Sequence, residues 1–538
     1  MPERLHLPAK HRAALETLIE KHLSGVEVWA YGSRVNGCSH DGSDLDLVLR
    51  GPGLKEIPTE RLANFGEAVR ESMIPFLVEA RDWARVPKRF YQEIEREYVV
   101  LMEAMETADF RRVALADVID LILSSVDKKS KDNEKAIRLC NYMDVYNNTF
   151  ITDEIDFMAA TATDHEVVRC SLTRGDVVIT KDSEKHDDIG VPALVRHGVA
   201  DLVCGYHLAI LRPRQEKVIG DYLVYALSAP QVQHQFHAYA NGVTRFGLRK
   251  ADIGLVEVPL PAIPEQRTIA RFLSELDDKI ELNRRMNKTL GAVARAIFKD
   301  WFVDFGPTRA KVEGRASYLP QDLWRLFPDE LDNENKPMGW RVAPLTELAE
   351  VNPESWSRKN APAEVDYVDL ANTKWGTIES TQRFLWKDAP SRARRILRPG
   401  DTIVGLVRPG NGSFAFIGSE GLTGSTGFAV LRPRHSRFTQ LVNLNATAPE
   451  NIERLANLAD GAAYPAVRPE VVGATQVVVP NDAVATRFSE LVSPILNHME
   501  SNKRENHTLA QTHGLLLPKL MSGEIRLRDA EKNVEAIT

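Results

Sequence analysis

The feature that most limits what this chain can fold into is a long internal repeat. Asn241-Gly242 and Ile253-Gly254 recur as Asp460-Gly461 and Val472-Gly473, each 219 residues later, and Pro261 recurs as Pro480 at the same offset. Upstream, Arg174-Gly175-Asp176-Val177-Val178-Ile179 parallels Pro399-Gly400-Asp401-Thr402-Ile403-Val404. Leu211-Arg212-Pro213-Arg214 returns as Leu431-Arg432-Pro433-Arg434, and Arg112-Val113-Ala114 as Arg341-Val342-Ala343. The offset drifts between 219 and 229, so the two copies carry different insertions. One unit used twice is expected to be arranged about a pseudo-two-fold axis.

Each copy opens with short β-rich runs such as VVIT, LAIL and LVEVPL, set between Gly, Pro, Asn and Asp turns. One or two helices interrupt them, for example YLVYALSAPQVQHQF in the first copy. This pattern predicts an α/β globular domain over residues 109–262 and another over 339–481. Each domain is followed by a long helical segment, 263–303 and 482–525, with 304–338 as a linker and 526–538 as a tail. The first segment carries a heptad seam of Ile269, Leu276, Asn283, Leu290 and Ile297, flanked by Leu273, Ile280, Asn287 and Ala294. Adding 219 gives Phe488, Ile495, Asn502, Leu509 and Leu516, flanked by Val492, Met499 and Asn506. An asparagine inside an apolar seam lowers stability but specifies register. The matched Asn283, Asn287, Asn502 and Asn506 therefore predict that the two helices pair with each other. A helix of some 36 residues makes a rod of about 54 Å.

Composition narrows the class. With 43% hydrophobic and 27% charged residues, the 538-residue chain reads as globular and multidomain. It contains no apolar run of membrane-spanning length, and its charged N-terminus has no apolar signal core. Cys38, Cys140, Cys170 and Cys204 form no Cys-x-x-Cys pair, which argues against a zinc ribbon or a disulfide scaffold. A cytoplasmic protein with no membrane partner is the expectation. The net charge of −7 excludes a uniformly basic coat but not a local basic face.

Residues 1–108 follow a different plan. A helix at 8–22 leads into the strand pattern Val26–Tyr31, the small-residue turn Gly32-Ser33, and a second strand at 43–49 that carries Asp44 and Asp46. Carboxylates two apart on a strand point the same way and repel unless a cation joins them. Mg²⁺ accepts one or two carboxylates plus substrate phosphate, and a Gly-Ser turn offers N–H groups and a hydroxyl to that phosphate. A third strand at 74–84 supplies Glu79 and Asp82. Gly32-Ser33, ten residues, then Asp44-x-Asp46 resembles the minimal, antitoxin-type nucleotidyltransferases. Val78-Glu79-Ala80-Arg81-Asp82-Trp83 resembles their later acidic strand, with Glu79 where the family carries Asp. The resemblance implies a nucleotidyltransferase α/β fold with Gly32, Ser33, Asp44, Asp46 and Glu79 as catalytic residues. It also implies Asp44, Asp46 and Glu79 as metal ligands, with Mg²⁺ and ATP as cofactor and substrate.

The repeated part carries basic clusters suited to phosphate or base contacts. They are Lys128, Lys129 and Lys131; Arg245, Arg249 and Lys250; and Arg392, Arg394, Arg395 and Arg398, followed by Arg432, Arg434 and Arg437. Gly410-Asn411-Gly412-Ser413 is a loop that could approach a duplex closely. The stretches PLPAIPEQRTIARFLSELDDKIELNRRMNKTL, AIFKDWFVDF and LLLPKLMSGEI make residues 111–525 resemble a specificity subunit of a type I restriction-modification system. That family implies two pseudo-symmetric target-recognition domains separated by two long antiparallel helices, making the whole a multidomain α+β protein. It implies a bipartite double-stranded DNA target, two docked methyltransferase subunits, and a restriction and translocase subunit. The chain has no P-loop and no adenine-methyltransferase motif, so S-adenosylmethionine is expected only through partner subunits. The alternative is a nucleotidyltransferase of a toxin–antitoxin-like system that the tandem repeat delivers to DNA.

Overall fold

The computed structural model describes residues 5–23, 25–37, 39–40, 42–51, 54–102, 110–461 and 464–525. The join at 103–109, the tail from 526 and Cys38 lie outside the described residues. The fold is α+β and comprises two units, Met1–Leu276 with Gln511–Thr538, and Asp277–Ala510. No helix among the described residues is long and apolar enough to cross a membrane.

In the first unit, the N-terminal sheet has strands β1 (Glu27–Tyr31), β2 (Leu45–Arg50), β3 (Val78–Asp82) and β4 (Tyr98–Met102), in the order β3-β2-β1-β4. Side chains alternate between faces along each strand. Val28, Ala30, Leu45, Leu47 and Leu49 are buried with Leu15 and Ile19 of α1 (Ala9–His22) and Phe65 and Val69 of α2 (Thr59–Arg70). The opposite face carries Trp29, Val48, Trp83 and Ile94, with Tyr98 stacked on Trp29 at 3.8 Å between ring centroids.

Two boundaries differ from the sequence expectation. Strand β2 starts at Leu45, so Asp44 stands just ahead of it rather than within it. The reason is local: the buried Arg34 guanidinium holds the Ser43 carbonyl from Nε at 2.9 Å and Nη2 at 2.6 Å. The third strand shrinks to Val78–Asp82. Pro75 has no N–H for a ladder, and Asp82 accepts from the Ala84 N–H, which turns the chain into the 3₁₀ turn Trp83–Arg85.

The first repeat copy holds a five-stranded sheet in the spatial order Ile119–Leu123, Leu208–Pro213, Val177–Thr180, Pro192–Val195, Phe150–Ile151. Val177–Thr180 is buried along its whole length, which is why VVIT reads as a continuous apolar run. The helical stretch at 222–236 falls on two helices, Gly220–Ser228 and Pro230–Tyr239. Pro230 drives Ala229 into extended backbone, with φ −64° and ψ 136°. The second helix of the repeat ends in this unit, where Leu516, Leu520 and Met521 are buried and His513 meets Tyr225.

The second unit holds the other copy as two four-stranded sheets. One orders Ala349–Val351, Phe428–Pro433, Thr402–Gly405 and Phe414–Phe416; the other orders Gln382–Leu385, Glu364–Val368, Leu422–Ser425 and Ala393–Ile396. Residues 304–338 are more than a linker. They form helices Gly306–Val312 and Gln321–Trp324, and bury Leu323 and Phe327 with Trp301, Phe302 and Trp340 in the core of this unit.

The repeated Gly-Asp and Leu-Arg motifs meet inside each copy. Arg212 donates to both oxygens of buried Asp176 at 2.8 Å, and Arg432 does the same to Asp401 at 2.9 Å. Truncating the arginine would leave a buried carboxylate with no cation and, among the described residues, only the Thr173 N–H and hydroxyl as donors. Arg212→Ala should therefore destabilise the first copy by about 3–5 kcal/mol, read as a lower urea midpoint; a change below about 1 kcal/mol would count against it. In the second copy, Glu354 joins Arg398 and Arg432, and these guanidinium groups hold its carboxyl down to about 2.

Candidate functional site

The N-terminal acids are brought into register by the sheet. Tyr31 of β1 pairs with Asp46 of β2 across an antiparallel ladder, and Asp46 pairs with Glu79 of β3 across a parallel one. Burial and then the neighbouring Glu79 carboxylate push the Asp46 carboxyl above its ordinary range. Burial does the same to the Tyr31 phenol. Gly32 has φ +79°, and a Cβ there would fall 2.5 Å from Asp46 Oδ2, so the turn needs glycine twice over. The N–H groups of Val35 and Asn36 both donate to the Gly32 carbonyl, closing the turn that contains half-buried Ser33.

Three further residues shape this site that motif reading passes over. Arg34 is 2% exposed; it links the turn to Ser43 and to the His6 carbonyl at 2.8 Å, and stacks 4.0 Å from Phe76. Its signal was available as the third residue of Gly32-Ser33-Arg34. Arg81 donates to Glu79 Oε2 at 2.8 Å, and Tyr31 lies in the acidic row. Asp82, in contrast, is buried structural material: it accepts from Ile57 and Ala84 N–H groups.

Asp44 is exposed at the entrance to β2. Among the described residues, no group of three His, Cys, Asp or Glu stands close enough to hold a metal by itself. Two adjacent carboxylates, one partly desolvated, beside a glycine turn fit a hard cation that shares its remaining positions with a triphosphate. They do not make an all-protein cage.

Both long helices are continuous, Ile263–Phe302 and Asp482–Ser522. Within the second unit they pack together and run antiparallel. Asn283 Nδ2 donates to Asn506 Oδ1 at 2.9 Å, and Asn502 Nδ2 to Asn287 Oδ1 at 2.9 Å. Asn283 also reaches Glu505 at 2.7 Å, Asn287 the Met499 carbonyl at 3.1 Å, and Asn506 the Ile280 carbonyl at 3.2 Å. The repeat-equivalent positions are 283 with 502 and 287 with 506, so the crossed pairing is what a pseudo-two-fold produces. Asn283→Leu alone should cost about 1–3 kcal/mol, because it leaves polar partners unsatisfied in a closed seam. Adding Asn506→Leu should recover stability while loosening register. Urea denaturation followed by helical circular dichroism separates these outcomes; equal midpoints for the single and double variants would contradict the pairing.

The basic candidates do not form common patches. Lys128 and Lys129 are exposed on the loop before Lys135–Cys140, and Lys131 pairs with Glu134 at 3.4 Å. Arg245 is bound to Asp182 at 2.8 Å beside His207; Arg249 caps its own helix through Asp252 at 2.8 Å; Lys250 is exposed. Arg392 is exposed, whereas Arg394 stacks over Trp386 at 4.5 Å. Arg395 is half-buried, with Nη1 on Ser355 at 3.2 Å and its Nε buried without a partner; burial lowers its basicity. Arg398 is taken by Glu354, Arg432 by Asp401 and Glu354, Arg434 by Glu350 and Arg437 by Asp482. The Gly410–Ser413 loop is shaped from within. A Cβ at Gly412 would fall 2.6 Å from the Trp375 ring, so that glycine makes room for an indole.

Residues 109–292 match the type I restriction modification DNA specificity domain. The chain is 22% identical to the type I restriction enzyme HindI specificity subunit of Haemophilus influenzae over 477 residues, covering 78% of this chain and all of the relative. It is 23% identical to the MjaIX specificity subunit of Methanocaldococcus jannaschii over 387 residues, 68% of this chain and 82% of the relative. At the N-terminus, 108 residues are 33% identical to the probable protein adenylyltransferase MntA of Haemophilus influenzae, 20% of this chain and 91% of the relative. The repeat, the paired helices and these matches agree: the chain belongs to the type I restriction-modification DNA specificity subunits and carries an N-terminal segment of the MntA-like adenylyltransferase family.

Proposed function

We propose that each recognition domain reads one half of a bipartite double-stranded DNA target and that the helix pair sets the gap between the halves. The crossed asparagine pairs carry this reading. They lock one antiparallel register, and a ruler needs a single register. Two methyltransferase subunits dock on the helices and bring S-adenosylmethionine, and a restriction and translocase subunit completes the assembly. Among the candidate contacts, Lys128, Lys129, Lys250 and Arg392 meet phosphate directly. Arg245 does so once it leaves Asp182.

The N-terminal domain transfers AMP from ATP to a protein hydroxyl. Gly32 and Ser33 receive the phosphates, and Asp44 and Asp46 would hold Mg²⁺ together with those phosphates, with Glu79 opposite Asp46 and held by Arg81; the ion when bound would neutralise triphosphate charge. The acceptor hydroxyl oxygen bonds to the α-phosphorus as the bond from that phosphorus to the α–β bridging oxygen breaks; the hydroxyl proton passes to solvent, and pyrophosphate leaves with the bridging oxygen. The 33% identity to a probable protein adenylyltransferase also supports the second reading, in which this transfer is the main activity and the repeat delivers it to DNA.

Methylation mapping by single-molecule sequencing, with the protein expressed beside its cognate methyltransferase subunits, tests the first reading. A bipartite motif is expected, and replacing residues 339–481 with the corresponding domain of a relative should change one half only. A soluble complex with an active methyltransferase and no methylated motif would overturn it.

A further inference from the structure

The helix pair has two unlike flanks within the second unit. One flank exposes Leu282, Met286, Val293 and Leu491. The other carries Arg284, Lys288 and Arg295, spaced four and seven residues apart along the first helix. This second flank forms one wall of a cleft of about 740 Å³, and the hairpin at Thr373–Ile378 forms the other. At the hairpin turn stands Trp375, 64% exposed and in left-handed backbone at φ +46°.

The acids in this cleft leave its charge positive. Glu500 is paired with Lys503 at 2.5 Å, and Lys503 also ties the hairpin down through the Gly376 carbonyl at 2.7 Å. Glu281 reaches Arg284 only at 3.7 Å, and Glu379 stands on the hairpin side. Lys288 and Arg295 make no ion pair or hydrogen bond among the described residues, so two of the three cations on this flank stand without a protein counter-charge.

We infer that this flank holds the phosphate backbone of duplex DNA running past the half-site of the second recognition domain, outside the bases that the domain reads. The inference rests on the DNA-reading function proposed above. Steps of four and seven residues advance about 6 and 10 Å along a helix. A DNA strand carries one charge per roughly 3.4 Å of axis, so the three cations match every second and third phosphate. An open, basic cleft with an exposed indole suits a backbone held without base readout.

The test uses the full chain with its methyltransferase subunits and 40-base-pair duplexes of random sequence, from which bound DNA is sequenced and then footprinted with hydroxyl radicals. Replacing Arg284, Lys288 and Arg295 by alanine should leave the selected motif unchanged. It should make the logarithmic salt slope shallower by roughly 2–3 and remove backbone protection beside the second half-site. A control removing Lys279, Arg285 and Arg504, which do not line the cleft, should leave slope and footprint as they were. If the triple variant fails to fold, Lys288→Glu at its exposed position gives the same readout, with weaker binding and local loss of protection. An unchanged slope and footprint in a protein that still selects its motif would overturn the inference and leave the DNA-reading function standing. Failure of the unaltered complex to select any motif would sink both.

Discussion

Inserting four residues between Leu290 and Gly291, together with four between His498 and Met499, should lengthen the unread spacer of the DNA target by one or two base pairs. Both insertions fall on the same level of the antiparallel pair, beyond the Asn287–Asn502 bond and on the side of the second domain. Four residues add about 6 Å of helix, against roughly 3.4 Å per base pair. A four-residue stutter unwinds a coiled coil locally without breaking it, and it turns the distal part in the same sense as the added DNA. The methylated motif should keep both half-sequences, with only the gap changed. The same insertion in one helix alone slides Ala294, Phe298 and Trp301 past Phe488, Val492 and Leu496, which share one core. That variant should lose at least about tenfold in methylation, since a core forced out of register costs several kcal/mol. An unchanged spacer in the matched variant would end the ruler reading.

Asp46→Asn should abolish nucleotide transfer, by at least about 100-fold, and leave the DNA motif untouched. Removing one of two adjacent carboxylates halves the hard-oxygen charge offered to a cation on the triphosphate. The amide keeps the shape, so β2 and its pairing with Tyr31 and Glu79 should persist. Gly32→Ala should do comparable damage by another route, because its Cβ would collide with Asp46 Oδ2 from a left-handed backbone. The readout is label moved from α-labelled ATP to protein in the presence of Mg²⁺, alongside methylation mapping. If the unaltered protein transfers no label to itself or its partner subunits, the transfer reading is lost. If Asp46→Asn also loses the DNA motif, the N-terminal domain is needed to assemble the recognition half.

Much of this architecture is visible in the residue string because it follows from short-range periodicity. The heptad seam needs only residues three and four apart to share a helix face. The matched asparagines need only the repeat offset. The Gly32-Ser33 and Asp44-x-Asp46 spacing likewise points to a site before any coordinates exist. Other features resist such reading. Arg392, Arg394, Arg395 and Arg398 look alike as a basic run, yet one is exposed, one stacks on Trp386, one is half-buried and one is bound by Glu354. The partners of the last two, Ser355 and Glu354, lie 40 and 44 residues back along the chain.

The sequence by itself thus determined that two like domains alternate with two long paired helices, and that an acidic turn-and-strand site precedes them. Only the tertiary structure decided that Asn283 bonds Asn506 while Asn287 bonds Asn502, that Asp46 stands opposite Glu79, and that Arg212 and Arg432 bind buried aspartates. Periodicity is a property of neighbours and survives in a string of letters. Charge pairing and desolvation depend on which distant groups share a few ångströms of low-dielectric space, and that is settled only when the core closes.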